Sequence, residues 1–242
     1  MKTFLLIFLS AFCCTAQPIS NAAREYKVLN GLVGWWKFDD VYLGATTCPD
    51  RSGSGNTLTL ENSPAPSAGK VGQSLSFNAG STVNQYANVN NQLIGTNTVT
   101  VTAWINPSGW GEGSWGCICS SSEGDAVEFG LYITASYGST VNTVIVDSDN
   151  ATPSILNAPS DSIVLNQWQF VCVVRNSDGT GSIYINGTLV ASGATSPTAA
   201  STSFDIGNRT SDMAYAFQGK IDDVRVYNRA LSPFEIHALA GQ

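Results

Sequence analysis

Alternation with a period of two runs through this sequence from Gly31 almost to its end, and it admits few folds. "GLVGWWKF" (31–38) is the first such stretch, followed by "SLSFN" (74–78) and "YANVN" (86–90). "TVTVTAWINP" (98–107) is long and alternating; "EFGLYIT" (128–134) and "NTVIVDS" (142–148) come next. "QWQFVCVVRN" (167–176) meets "GSIYINGTLVASG" (181–193) across Ser177-Asp178-Gly179-Thr180, and "SFDIGN" (203–208) and "GKIDDVRVYN" (219–228) complete the set. Successive side chains of a strand point to opposite faces, so each stretch reads as a strand. Asn186-Gly187 predicts a tight hairpin turn, since both residues tolerate positive φ. Only Pro233 to Ala240 reads as helix. Many short strands separated by turn residues mean an all-β chain, an antiparallel sandwich or a closed barrel. "TLENSPAPSAGK" (59–70) is the most loop-like stretch, and neither an internal repeat nor a shift in composition marks a second domain.

The first residues stand outside this pattern. "MKTFLLIFLSAFCCTAQP" places one Lys before an apolar run from Phe4 to Phe12, with small residues after it. That is the layout of a secretory signal peptide, and the run is too short to span a bilayer. Residues 1–16 are therefore expected to be removed after Ala16, with 17–30 a lead-in and 31–242 the folded domain. Acids outnumber Lys plus Arg by 18 to 11 in the whole chain. Phosphate recognition needs clustered basic residues, so nucleic acid is not an expected partner. No later stretch is apolar enough for membrane insertion.

Cys48, Cys117, Cys119 and Cys172 remain after cleavage. An even count in a secreted chain suggests two disulfides, and four cysteines allow three connectivities. On a regular strand Cys117 and Cys119 would share a face about 6.5–7 Å apart, at the limit of bridging. Zinc is disfavoured, since there is no second closely spaced cysteine pair and the one His, His237, is distant.

The last strand poses a problem. The chain is poor in charge, yet "GKIDDVRVYN" opens with Asp222 and Asp223. Strict alternation puts Asp222 with Val224 and Val226 on a buried face, where an unpaired carboxylate is costly. Asp223 and Arg225 then fall on the opposite face as a pair worth little.

"GLVGWWKFDD", "DRSGSGNTLTL", "GKVGQSLSFN", "TVTVTAWINP", "WQFVCVVRNSDGTGSIYINGTLVASG", "FDIGN" and "FQGKIDDVRVYNRALSPFEI" occur in that order. Together they resemble the laminin-G-like, concanavalin A-like jelly-roll family over most of residues 31–240. The resemblance implies two antiparallel sheets packed face to face. It also implies an extracellular module of a kind that often binds glycans or other proteins and often holds a structural calcium ion. In the family pattern the first acid after "WWKF" and the first acid of "IDD" lie close together. Those positions are Asp39 and Asp222, and the expectation is a Ca²⁺ ion between them. Ca²⁺ takes six to eight oxygens, and "CPDRSGSGN" (48–56) offers Asp50, Asn56 and loop carbonyls as further ligands.

Sandwich hydrolases that cleave glycosides carry paired carboxylates spaced E-x-D-x-E on one strand. No such run occurs; Glu123, Asp125 and Glu128 are the nearest approach, and Glu128 has the wrong parity. A non-catalytic chain is expected. Sugars are held by an aromatic face with amide and hydroxyl donors. "SGWGEGSWG" (108–116) places Trp110 and Trp115 in a Gly-rich loop, and Tyr137 and Tyr215 lie in other turns, so these four are the candidate binding residues. Trp36, Trp104 and Trp168 lie within apolar strands and are expected in the core. Asn150, Asn186 and Asn208 begin formal glycosylation sequons, the first weakened by Pro153. The sequence thus points to a secreted, calcium-dependent carbohydrate-binding module whose partner is a glycan or a matrix or cell-surface protein. The competing reading is a structural or adhesive protein acting through protein contacts.

Overall fold

The computed structural model describes residues 28–80, 83–123, 126–147, 155–195, 201–210 and 213–242. Two antiparallel sheets face each other. The first contains β1 (Leu32–Trp36), β4 (Ala65–Ala68), β5 (Gln73–Phe77), β7 (Val99–Pro107), β12 (Gln169–Arg175), β13 (Thr180–Ile185), β14 (Thr188–Ala194) and β16 (Gly219–Tyr227). Its order is β14-β13-β12-β7-β16-β5-β4, with β1 pairing to β16 as well. The second contains β2 (Thr47–Cys48), β3 (Leu58–Glu61), β6 (Tyr86–Val89), β8 (Trp115–Glu123), β9 (Ala126–Tyr137), β10 (Thr140–Asp147), β11 (Ile155–Asn157) and β15 (Phe204–Ile206). Its order is β11-β10-β9-β8-β15-β6-β3-β2. The expected jelly-roll sandwich is the observed fold. The stretch 59–70, read as a loop, carries part of β3 and all of β4, while β8 and β11 were not foreseen as strands. No helix among the described residues is long and apolar enough to cross a membrane.

The space between the sheets is filled by one apolar cluster. Val101, Ala103 and Ile105 of β7, Val171 and Val173 of β12, and Val224 and Val226 of β16 meet Leu131 and Ile133 of β9 and Phe204 and Ile206 of β15. Alternation makes the other residues of each strand face outward. On the first sheet that outer face is apolar too. Trp104, Phe170, Cys172, Tyr184 and Tyr227 are buried there beneath α1 (Pro233–Ala240), which contributes Ile236 and Leu239. The helix falls where the sequence predicts it. Ser232 caps it, its hydroxyl accepting from Glu235 N–H while Glu235 returns a bond to the Ser232 amide. This reciprocal pairing satisfies donors that a helix start leaves open. Burial acts to raise the Glu235 pKa, but the Arg229 guanidinium and Ser232 hold it down to about 2. The Asn186-Gly187 turn has φ of 51° and 79°, the hairpin geometry that its residues predict.

Trp36 is in the central core and stacks on Phe204 at 5.5 Å. Trp104 is buried beneath α1 rather than between the sheets, and Trp168 is only partly buried against the same cluster. The cysteines do not form the expected disulfides: all four are buried as thiols. They belong to different layers. Cys48 and Cys119 lie in the central core, Cys172 beneath α1, and Cys117 on the outer face of the second sheet. A bulge between Cys117 and Cys119 separates two residues that regular alternation would place together. Burial pushes the Cys48 thiol up to about 12, so these sulfurs pack as small apolar groups.

Candidate functional site

The two acids of the last strand mark a seam. β16 pairs with β7 along its length, but on its other edge it pairs with β5 over Gly219–Ile221 and with β1 over Val224–Tyr227. Between these spans its register shifts, and Asp223 adopts φ of 47°. The bulge corrects the expected parity. Ile221 and Val224 both point into the central core, while Asp222 lies opposite Trp104, a residue of the outer face. Asp222 thus faces away from Val224 and Val226.

Its Oδ2 accepts the amides of Lys70 (2.8 Å) and Val71 (3.0 Å) in the turn between β4 and β5, and its Oδ1 is buried with no partner among the described residues. Burial, together with the Asp223 charge, pushes its pKa up to about 7 against the pull of those amides. The same turn receives Asp39, whose Oδ1 accepts from Gln73 N–H at 2.8 Å and whose Oδ2 lies 2.7 Å from the Lys37 ammonium. Burial opposes ionisation of Asp39, but Lys37 and the Gln73 amide lower its pKa on balance. A Cβ on Gly69 would press on Asp222 and one on Gly72 on Asp39, so both carboxylates fit against this turn only because it carries glycine.

Asp50 and Asn56, expected as further ligands, are drawn elsewhere. Asp50 accepts from the amides of Trp35, Ser52 and Asn56 at 2.8–3.0 Å and from the Ser52 hydroxyl. Asn56 donates to Val33 O and accepts from the Asn91 carboxamide. Their polar atoms organise their own loop and fasten it to β1. Among the described residues no three His, Cys, Asp or Glu side chains gather in a group that could hold a metal. A cation here would rest on Asp39, the free Oδ1 of Asp222 and backbone carbonyls of the 69–73 turn.

Asp223 and Arg225 also depart from expectation. They are both buried, 2.8 Å apart, and Asp223 accepts the Trp35 indole N–H at 2.5 Å. The Arg225 guanidinium stacks 4.6 Å from the Trp35 ring centroid and reaches the Gln242 carboxamide. A buried pair hydrogen-bonded on both sides behaves differently from an exposed one, because removing either partner strands a charge.

Three of the four candidate aromatics come together on the outer face of the second sheet. Trp115 opens β8 instead of lying in a loop. Its ring centroid is 5.7 Å from Tyr137 and 5.6 Å from Tyr215, and Tyr132 lies 5.8 Å from it. Tyr132 and Tyr215 are 5.9 Å apart, and the Arg209 guanidinium stands 4.4 Å over Tyr215. Trp110 is elsewhere, packed against the central core. The loop bearing Tyr215 is fastened across the sheet: Gly207 N–H donates to Ile118 O, Cys117 N–H to Tyr215 O at 2.7 Å, and Glu112 N–H to Ala216 O. Tyr215 itself has φ of 71°, a conformation that bulky residues adopt only when their surroundings enforce it.

Sequence reasoning missed Asp205. It sits between Phe204 and Ile206, which point into the core, so it faces outward on the aromatic side, with Ser120 and Asn88 as cross-strand neighbours. Thr210 donates a hydroxyl bond of 2.6 Å to its Oδ2, while Oδ1 is buried with no partner among the described residues. Burial pushes its pKa up to about 6; Thr210, and the nearby Ser120 hydroxyl short of a well-aligned bond, pull against this. The signal was the one that singled out Asp222, a lone carboxylate inside an apolar strand.

Of the sequon asparagines, Asn186 is exposed on its turn. Asn208 is fully buried, its Oδ1 accepting from Arg209 N–H, which leaves no room for a glycan on the folded chain. Asn150 and Asp125 lie outside the described residues, as do the side chains of Glu123 and Glu128.

Three solved structures show how widely this architecture is shared. Domain 4 of AbnA, a GH43 extracellular arabinanase from Geobacillus stearothermophilus in complex with arabinotriose, matches at TM-score 0.67 and 21% identity, covering 86% of this chain and 98% of that one. A botulinum neurotoxin type C structure, described as entering cells through interaction with two ganglioside molecules, matches at TM-score 0.68 and 14% identity over 90% of this chain. The binding domain of botulinum neurotoxin DC in complex with rat synaptotagmin II matches at 0.65 and 14% over 88%. The chain spans about half the length of these two toxin chains, 52% in each. No curated protein matches it. In sequence, a laminin G family, described as the concanavalin A-like lectin/glucanases superfamily, matches residues 80–237. The chain belongs to that superfamily.

Proposed function

We propose that this protein is a secreted, non-catalytic carbohydrate-binding module that engages a glycan through the outer face of its second sheet. The observation that carries this reading is the convergence of Trp115, Tyr132, Tyr137 and Tyr215 on one outer face, with Tyr137 37% exposed at its rim. Aromatic rings offer a flat apolar face to the C–H side of a sugar, and nearby polar groups fix its orientation. The loop bonds that fasten Tyr215 over β8 spare the site much of the ordering cost that binding otherwise incurs. The structural neighbours include a domain in complex with arabinotriose and a toxin described as interacting with two ganglioside molecules, which agrees with a glycan partner. The leader-like residues 1–16 support secretion.

The same reading includes a structural Ca²⁺ held by Asp39, Asp222 and carbonyls of the 69–73 turn. A hard cation would satisfy the orphaned Asp222 Oδ1 and tie that turn to both the beginning and the end of the domain. A second reading, adhesion through protein contacts, rests on Tyr42 and Leu43. They are 73% and 80% exposed on a turn that Val41 and Ala45 anchor in the core.

A glycan array probed with wild type and Trp115→Ala, each with calcium and with chelator, tests the proposal. The expected result is binding by wild type that falls about tenfold, roughly 1.4 kcal/mol, in the variant. Unchanged binding by Trp115→Ala would overturn the aromatic site. Melting that does not respond to calcium added to chelator-treated protein would overturn the ion.

A further inference from the structure

A cavity of about 510 Å³ lies on the other sheet from the aromatic patch. That volume falls within the range of about 300–1,000 Å³ typical of small-molecule sites. Its floor is a row across three adjacent strands. Lys220 of β16 pairs in register with Ser76 of β5 on one side and with Asn106 of β7 on the other. All three point outward, since Ile221, Leu75 and Ile105 beside them point into the core. Asn166, Ser108 and Gln218 form the wall at one end. Among the described residues the lining of the cavity is mostly carboxamides and hydroxyls, with one charged group, the Lys220 ammonium.

The wall is built, while the floor is unspent. Gln218 bridges two loops, accepting from Ala79 N–H at 2.9 Å and donating to the Ser108 hydroxyl. Asn166 is held by its amide, which donates to Pro107 O at 2.7 Å. Gly219 lets β16 lie close to β7 here, where a Cβ would meet the Asn106 carbonyl. By contrast, the side chains of Asn106, Asn166 and Lys220 make no hydrogen bond or ion pair with any described residue. The nearest acid along the strand on this face, Asp222, has one oxygen committed to the Lys70 and Val71 amides. Lys70 is turned to the Trp104 ring, 4.7 Å from its centroid, and Lys220 is the one cation among the described residues that line the cleft.

We propose that this cleft is a second saccharide site, and that it takes a sugar bearing a carboxylate, a uronic acid residue. In a chain with a net charge of −7, a cleft whose described lining carries a single charge, the positive one of Lys220, favours an anion. The carboxamides donate to the carboxylate and accept from ring hydroxyls, and Lys220 supplies the charge. The floor carries no exposed ring, so recognition here is polar, whereas the aromatic patch suits a neutral sugar face. The two sites are on opposite sheets and stand or fall separately.

The test uses a trigalacturonate and the same trisaccharide with its carboxyl groups reduced, titrated into the full chain by calorimetry and by NMR. The expected result is that trigalacturonate binds and shifts the amide signals of Ser76, Asn106 and Lys220, and that the reduced sugar binds at least about tenfold more weakly. Lys220→Gln should weaken trigalacturonate binding by about tenfold, the worth of one charge-assisted bond. Asn106→Ala should weaken it severalfold, and Trp115→Ala should leave it unchanged. High salt should weaken the wild-type interaction through screening. Equal affinity for the two sugars, or trigalacturonate binding undiminished in a Lys220→Gln protein that melts like wild type, would overturn the proposal. Shifts confined to the aromatic face would also overturn it while leaving the proposed function standing.

Discussion

The outer faces of the two sheets are both rich in large side chains, and they are treated in opposite ways. On the first sheet Trp104, Phe170, Tyr184 and Tyr227 are buried beneath α1. On the second, Trp115, Tyr137 and Tyr215 are only partly buried, and backbone bonds at Gly207, Tyr215 and Ala216 fasten Tyr215 to the sheet without sealing the rings. A sheet face left apolar must be covered. A face that combines half-exposed rings with a buried, incompletely bonded Asp205 has the composition of a surface that meets something else. The covered face should therefore yield large stability changes when altered, and the open face small ones.

The largest effect is expected at the edge of the covered face. Asp223→Ala leaves Arg225 buried without its carboxylate and removes the acceptor of the Trp35 indole. The cost should be about 3–5 kcal/mol, read as a fall in the urea midpoint. Replacing Arg225 by Met in the same background should recover part of it, because the stranded charge is gone. A loss below about 1 kcal/mol for Asp223→Ala would mean that the seam between β1 and β16 is held by pairing of the strands alone. Next comes Ile236→Ala, which opens a cavity between α1 and the sheet at a site with 0% exposure. About 2–4 kcal/mol is expected from core truncations of this kind. If α1 instead detaches at little cost, the two faces are less different than their burial indicates.

The third effect depends on pH. The Asp222 pKa rises from 3.8 to about 7 in the folded chain. A carboxyl with a raised folded pKa stabilises the fold fully below its unfolded pKa, and that stability is lost as pH rises through the folded value. In chelator, wild type should therefore weaken between pH 4 and pH 7. Each pKa unit is about 1.4 kcal/mol; allowing for relaxation around the carboxylate, the loss should be on the order of 2 kcal/mol. Asp222→Asn should shrink this dependence to the share that Asp205, also raised, contributes at its lower end, and calcium should shrink it in wild type but change nothing in the variant. A wild-type profile that rises over this window would show that Asp222 is stabilised as the anion by the Lys70 and Val71 amides alone.

Asp222 also shows how far the sequence could be read. The strands were legible because period two and turn residues are local signals. Their number and spacing admit a sandwich or a closed barrel, and the family resemblance decides for two sheets. Facing directions were legible only where the ladder is regular, as in β7, where Val101, Ala103 and Ile105 alternate with Thr102 and Trp104. A bulge adds one residue and inverts every later parity. One at Asp222–Val224 reversed the side assigned to Asp222, and one at Cys117–Cys119 sent two cysteines to different layers. Neither bulge carries a glycine to betray it. Trp115 reads as a loop residue because the glycines around it hide the start of β8, and nothing local signals that its ring meets Tyr137 and Tyr215. The cleft around Lys220 was invisible for a different reason: its residues are ordinary polar positions on three strands far apart in sequence.

The smallest expected effect falls on the open face and is the sharpest check of the contrast. Tyr137 sits at the end of β9 with its ring against Trp115, and it is 37% exposed. Tyr137→Ala removes one edge-to-face contact, worth about 0.5–1.5 kcal/mol when fully packed. Partial exposure discounts that figure, so a stability loss of about 0.5 kcal/mol or less is expected, with no change in the steepness of urea unfolding. The ring's other face is available to a ligand, so glycan affinity should fall while the fold barely responds. A stability loss comparable to that of Ile236→Ala would show that Trp115, Tyr137 and Tyr215 form a second packed cluster, as closed in function as the one beneath α1. Loss of binding with the fold intact would assign the rings to recognition, because a residue whose removal costs affinity but little stability is spending its apolar surface on a partner.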